Sequence, residues 1–211
     1  MTLTASPRPR LRRAARPAPS SPATPYLAID LSAVRAAYRR LTAALPGVSV
    51  HYAMKCNPDP AVLATLHRVG CRFEIASAPE LDALRAIGVA AHTVLFSNPV
   101  KPIDHIRRAG AAGVDRFAVD SAAEIDKVAA AAPGAKVYVR LAVADGASQV
   151  ASEGKFGVDA EAAVGLLRQA RRAGVEPYGL TFHVGSQMLD PGAWARAIAT
   201  CGGIMRTLAA D

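Results

Sequence analysis

The chain has 211 residues, 51% hydrophobic and 20% charged, which fits a globular protein with a real core and excludes a fibrous or disordered one. The net charge of +8 invites an acidic partner, but five of the 25 basic residues (Arg8, Arg10, Arg12, Arg13 and Arg16) and none of the 17 acidic ones lie in residues 1–25. That leaves 20 basic against 17 acidic residues in the body, with no aromatic-rich basic patch, so no nucleic-acid partner is expected.

Residues 1–24 are rich in Pro, Arg, Ala and Ser and are expected to be a disordered basic leader. An organelle-targeting peptide or a tether to an anionic surface is the alternative. Their apolar runs are too short for a signal peptide, and no stretch of about 18 apolar residues follows, so no membrane span is expected.

From residue 48 short β-rich runs alternate with Ala- and Leu-rich stretches of helical spacing. The runs are "VSVHYAM", "CRFEIAS", "TVLFSN", "RFAVDS", "KVYVRLAV" and "YGLTFHVGS", and the first five recur at a step of roughly 20–23 residues, one strand plus one helix. Gly70, Gly88 and Gly110 read as helix C-caps. Ser77 with Glu80, and Ser121 with Glu124, read as capping boxes opening the next helix. A closing helix is expected over "PGAWARAIATCGGIMRTLAAD".

Strands separated by helices at constant period imply a parallel sheet. A doubly wound open sheet and a closed (β/α)8 barrel compete. The open nucleotide-binding sheet should carry a Gly-rich loop after an early strand, and none is present. Instead, polar residues gather at the C-terminal strand ends: Lys55, Glu74, Asn98, Asp120, Arg140 and His183. A TIM-type barrel keeps its active site there, so the barrel is favoured. About six strands are countable where a barrel takes eight. Residues 25–211 are therefore expected to be a partial barrel, from a larger protein or needing a second chain. Cys56, Cys71 and Cys201 are odd in number and lack metal-site spacing, which suggests a reducing cytoplasm and no metal.

Lys55 closes an apolar strand, where an unpaired ammonium is costly to bury. Strand parity puts it on the face of His51 and Ala53, opposite Tyr52 and Met54. Either it reaches solvent, or it forms a Schiff base at the barrel mouth. "FHVGSQ" offers the flat ring of His183 beside a small-residue turn, whose N–H groups and Ser186 hydroxyl suit a phosphate. A lone histidine is more often structural. Glu74 and Arg140 sit inside apolar runs, where charges persist when paired or ligand-bound.

In order, "YAMKCNPDPAVLATL", "GCRFEIASAPEL", "VLFSNPVKP", "FAVDSAAEIDKVA", "VYVRLAV", "KFGV" and "FHVGSQ" resemble the amino-terminal barrel of the fold-type III pyridoxal-phosphate enzymes, in the ornithine/diaminopimelate/arginine decarboxylase group. The resemblance covers roughly residues 24 to 211. It implies an alanine racemase-like α/β barrel without the carboxy-terminal β-domain, pyridoxal 5'-phosphate as cofactor, and an amino-acid substrate. It also implies a homodimer or a complementing C-terminal chain. By the resemblance, Lys55 forms the Schiff base, His183 stacks on the pyridine ring, and Ser186 binds the phosphate. Arg140 lies at the phenolic-oxygen side and Glu74 close to the lysine, with Glu80 an acid behind them. Lys155 lies near the subunit contact.

The implied reaction is decarboxylation of a basic amino acid, a carbon–carbon lyase step toward polyamine or amino-acid metabolism. Partial burial should help make Lys55 nucleophilic. "FHVGSQ" and "FSNPVK" favour ornithine, ahead of lysine, arginine or diaminopimelate. The Gly-rich phosphate loop, the acid facing the pyridine nitrogen and the cross-subunit residues have no counterpart here. A truncated or regulatory paralogue binding a partner subunit, a racemase, and a cofactor carrier are the competing readings.

Overall fold

The computed structural model describes residues 23–150 and 154–210, so the expected leader falls almost wholly outside the described residues. Leu31–Asp211 form one compact unit. It opens with helix α1 (Leu31–Ala44), in a stretch to which the alternation assigns no element, and then takes up the expected beat. The succession is β1 (His51–Ala53), α2 (Pro60–Arg68), β2 (Arg72–Ile75), α3 (Ala78–Ala86), β3 (Leu95–Phe96), α4 (Ile103–Ala112), β4 (Arg116–Val119), α5 (Ala122–Ala131) and β5 (Lys136–Leu141). There follow β6 (Ser148–Val150), α6 (Ala160–Arg172), β7 (Glu176–Phe182), β8 (Ser186–Met188) and α7 (Gly192–Ala209).

Among the described residues, β1, β2, β3, β4, β5 and β7 pair in that order, every pair parallel. This is the expected α/β architecture, six strands of a TIM-type barrel. Buried on both faces, β4 and β5 read as continuous apolar runs: Phe117, Ala118 and Val119, then Val137, Tyr138 and Val139. In β2 the faces separate. Phe73 and Ile75 join the core, while Glu74 between them turns to the interior. The β5–β7 register slips at Val137/Tyr138, beside Pro177, which has no N–H to give the ladder.

Gly70 and Gly88 follow helix ends with φ of 84° and 87°. Gly110 does not end its helix: α4 runs on to Ala112 and stops at Gly113, φ 103°. Gly110 instead packs against α5, where an added Cβ would lie 3.0 Å from that of Ala132. Of the two expected capping boxes, one is half formed and the other is not formed. Ser121 Oγ accepts from the Glu124 N–H at 3.3 Å, but the Glu124 carboxylate is drawn away to two lysines. Ser77 makes no side-chain cap, while Glu80 Oε2 accepts from the Ala76 N–H at 2.6 Å.

The antiparallel ribbon of β6 and β8 was not expected. Its three-residue strands sit inside loops, too short for period-two patterning to register. Among the described residues no helix is long and apolar enough to cross a membrane.

Candidate functional site

A cleft of about 410 Å³ opens at the C-terminal strand ends, lined among others by Lys55, Glu74, Ser97, Asn98, Arg140 and His183. Four of the five sequence-predicted site residues thus meet in one place. β1 and β7 are the outer strands of the sheet, so Lys55 and His183 reach the same cleft only because the sheet curls. A larger cavity of about 520 Å³ lies between α6, β7 and α7, but neither an acid nor a histidine lines it.

Lys55 is not on the strand. β1 ends at Ala53, and Lys55 lies in the 3-10 turn Met54–Cys56. The turn places Ala53, Met54 and Lys55 all on the cleft, so strict strand parity fails. Lys55 is exposed, so the partial burial expected of it is not found: the turn lifts it off the sheet into the open mouth. Below it, Asn57 Oδ1 accepts from the Asp59 N–H, and Asp59 caps α2.

Glu74 is half-buried and held. Ser97 Oγ donates to its Oε2 at 3.0 Å, and Ser97 Oγ lies 3.2 Å from the buried Tyr138 hydroxyl. Burial pushes the Tyr138 phenol well above its ordinary range, so it stays a neutral hydroxyl. Glu80 lines the same cleft.

Arg140, near the end of β5, is half-buried. Burial pulls its pKa down, against the pull of Asp120 and Glu74. Its guanidinium lies 5.1 Å from the Phe156 ring centre, a cation–π contact. The "KFGV" segment is stitched to the strand end. The Val158 N–H donates to Arg140 O at 3.0 Å, the Ala142 N–H to Val158 O at 2.9 Å, and the Gly157 N–H to Asp120 Oδ2 at 3.0 Å. Gly157 has φ 98°, and an added Cβ would lie 2.6 Å from backbone atoms of Leu141 and Ala142. Lys155, beside Phe156, is exposed.

His183 directly follows β7 and stands exposed at the mouth. Partial desolvation, then the cations Arg140 and Lys55, hold its pKa below the usual 6.5, which favours a neutral ring at pH 7. Ser186 is not brought into the cleft lining: it heads β8, exposed, paired opposite Val150. Between them Gly185, φ 99°, passes so close to Ser148 that a Cβ would meet Ser148 Oγ at 2.4 Å.

Sequence reasoning missed Ser97, Tyr138 and Phe156. Tyr138, an aromatic hydroxyl two residues before Arg140 and so on the same strand face, was the available signal.

The sequence matches the family described as "Pyridoxal-dependent decarboxylase, pyridoxal binding domain" over residues 31–211. The lysine/ornithine decarboxylase of Selenomonas ruminantium is 41% identical over 175 residues, covering 83% of this chain and 44% of that protein. Antizyme inhibitor 2 of Homo sapiens is 34% identical over 174 residues, 82% of this chain and 38% of that protein. A crystal structure of an SrLDC variant in complex with PLP superposes with a TM-score of 0.81 at 38% identity, over 84% of this chain and 46% of that one. The chain spans less than half the length of these relatives. The family match and the superposed barrel agree with the resemblance carried by the seven motifs, and the chain belongs to the pyridoxal-dependent decarboxylases, as their pyridoxal binding domain.

Proposed function

We propose that this chain binds pyridoxal phosphate through Lys55, Arg140 and His183 and supplies half of a site that decarboxylates a basic amino acid, ornithine first, then lysine, arginine or diaminopimelate. One observation carries the reading: Lys55, Glu74, Arg140 and His183, from four different strand ends, line a single cleft. The donor set fits the cofactor. Lys55 offers a primary amine for its aldehyde, His183 a flat neutral ring for its pyridine face, and Arg140 a fixed cation for its oxygens. The bound cofactor supplies an aldehyde that condenses with amines and a ring that takes up the electron pair left when the carboxylate departs as CO2.

The protein's own part is positioning. Lys55 would hold the cofactor through its primary amine at the mouth of the cleft. Phe156 and the Gly157–Asp120 bond fix Arg140. Ser97 Oγ orients the Glu74 carboxylate on the cleft wall. The three free cysteines fit work in a reducing cytoplasm. We take the working form to be a homodimer, or this chain with a complementing carboxy-terminal chain.

Pyridoxal phosphate titrated into the chain is expected to give a visible absorbance band that Lys55→Ala abolishes. Labelled CO2 release is then followed from ornithine, lysine, arginine and diaminopimelate, alone and with a complementing chain. A well-folded sample without the band overturns cofactor binding. The likeness to antizyme inhibitor 2 supports a second reading, a non-catalytic paralogue that binds a partner subunit. A band without CO2 release, even after complementation, selects that reading, or a racemase or cofactor carrier if the substrate α-proton exchanges or the cofactor is passed on.

A further inference from the structure

Lys101 is the most unusual residue outside the reactive set, because its side chain is wholly buried. Its Nζ donates to three backbone carbonyls, Asn98 O at 3.0 Å, Pro99 O at 3.0 Å and Ala118 O at 2.5 Å, and lies 3.1 Å from Glu124 Oε2. The Phe96 ring centre is 6.0 Å away. Lys127 closes the group from outside, pairing with Glu124 and donating to Lys101 O at 2.7 Å. Burial lowers the Lys101 pKa to about 8 while Glu124 pushes it back up, so the ammonium remains charged at pH 7.

An ammonium has three N–H bonds to give, and here they meet a cage of oxygens from three elements. Asn98 and Pro99 belong to the β3–α4 loop and line the cleft, and Ser97 at the same loop's start holds Glu74. Ala118 lies in β4, two residues before Asp120, which holds Gly157 beside Arg140. One buried cation therefore gathers the backbone behind both the acidic and the cationic parts of the cleft. A greasy residue of similar length would fill the volume but leave those carbonyls without a donor.

We propose that Lys101, clamped by Glu124, is a positioning residue for the cofactor cleft: its ammonium pins the β3–α4 loop to the end of β4 and so fixes where Ser97, Asn98 and Glu74 stand. This rests on the reading of the cleft as a pyridoxal-phosphate site, but the loop claim is testable without the cofactor.

The test compares Lys101→Met with Leu167→Ala, a buried change in α6 away from the cleft, with temperature adjusted so that both samples are equally stable. Deuterium exchange is followed over residues 95–101, together with pyridoxal-phosphate affinity and the induced circular dichroism of the bound cofactor. In Lys101→Met the loop amides should exchange at least about tenfold faster than in Leu167→Ala, and cofactor affinity should fall by about tenfold with a weaker induced signal. Equal exchange and equal affinity in the two variants overturn the proposal. If Lys101→Met does not fold, Glu124→Gln takes its place: it keeps shape but removes the counter-charge, and faster loop exchange than in Leu167→Ala is again required. If the native chain binds no cofactor, the cleft reading fails, while the exchange data still decide whether Lys101 holds the loop.

Discussion

The cleft has two unlike sides. In the middle of the sheet, Glu74 on β2 and Ser97 and Asn98 just past β3 are half-buried and tied by Tyr138 and Lys101. On the outer strands, Lys55 and His183 stand exposed at the mouth, one in a 3-10 turn and the other just past its strand. Two of the groups expected to meet the cofactor, Lys55 and His183, thus adjoin strands with a neighbour on one side only, while the third, Arg140, stands on β5 between β4 and β7. The groups that orient charge sit where the sheet has neighbours on both sides. A strand with two partners and two covered faces can hold a side chain to a fixed position; an outer strand with one partner opens locally at lower cost. Preorganisation is thus concentrated in the acidic and hydroxyl-bearing wall, and this contrast can be broken from either side.

The largest effect is expected at the 155–158 segment, a strap that packs against Arg140 at the end of β5. Gly157→Ala puts a methyl 2.6 Å from main-chain atoms that cannot turn aside, at a φ that L residues rarely adopt. Strain and overpacking together should cost about 3 kcal/mol or more, read as a lower denaturant midpoint. Cofactor affinity should fall as well, because the same segment holds Phe156 and donates the Gly157 N–H to Asp120. A variant of native stability would mean that the strap moves freely and that Arg140 is not positioned by it.

Next comes Ser97→Ala, on the tied wall. It removes a hydroxyl that donates to Glu74 and neighbours Tyr138, and a bond of that kind is worth about 1 kcal/mol. Pyridoxal-phosphate affinity should weaken about fivefold with little change in thermal midpoint. The companion Tyr138→Phe should do less, since it leaves the Ser97–Glu74 bond intact. Equal and large effects from both would show that the hydroxyl pair carries packing rather than orientation.

The barrel beat was legible because each strand–helix unit repeats the same physical problem: bury one face, cap, turn and return. The meeting of Lys55, Glu74, Arg140 and His183 was legible for the same reason, since parallel strands deliver their ends to one side. What escaped was whatever depends on distance across the sheet. Glu124 looked like a local capping residue, three positions after Ser121. It is in fact the counter-charge for Lys101, 23 residues away in sequence. Lys55 looked like the end of a strand, yet the chain turns two residues earlier, and that turn decides its exposure. Ser186 was read with His183 as one motif, but the left-handed Gly185 between them sends the chain into the β6–β8 ribbon. Local pattern cannot report such a change of direction.

The smallest expected effect tests whether the two outer strands share one electrostatic site. His183 has its pKa held below 6.5 by partial desolvation first, then by Arg140, then by Lys55. A histidine whose folded pKa is depressed stabilises the fold above its unfolded value and loses that contribution as pH falls toward the folded pKa. Removing either cation should let the imidazole protonate more readily. Followed by NMR of the ring protons, the His183 titration should therefore move to higher pH in Arg140→Met and by less in Lys55→Ala. A Lys55→Ala titration superimposable on the native one, with Arg140→Met shifted, would place Lys55 outside the field that His183 feels. The exposed wall would then be two separate edges, and the cofactor itself would have to bring lysine and histidine together.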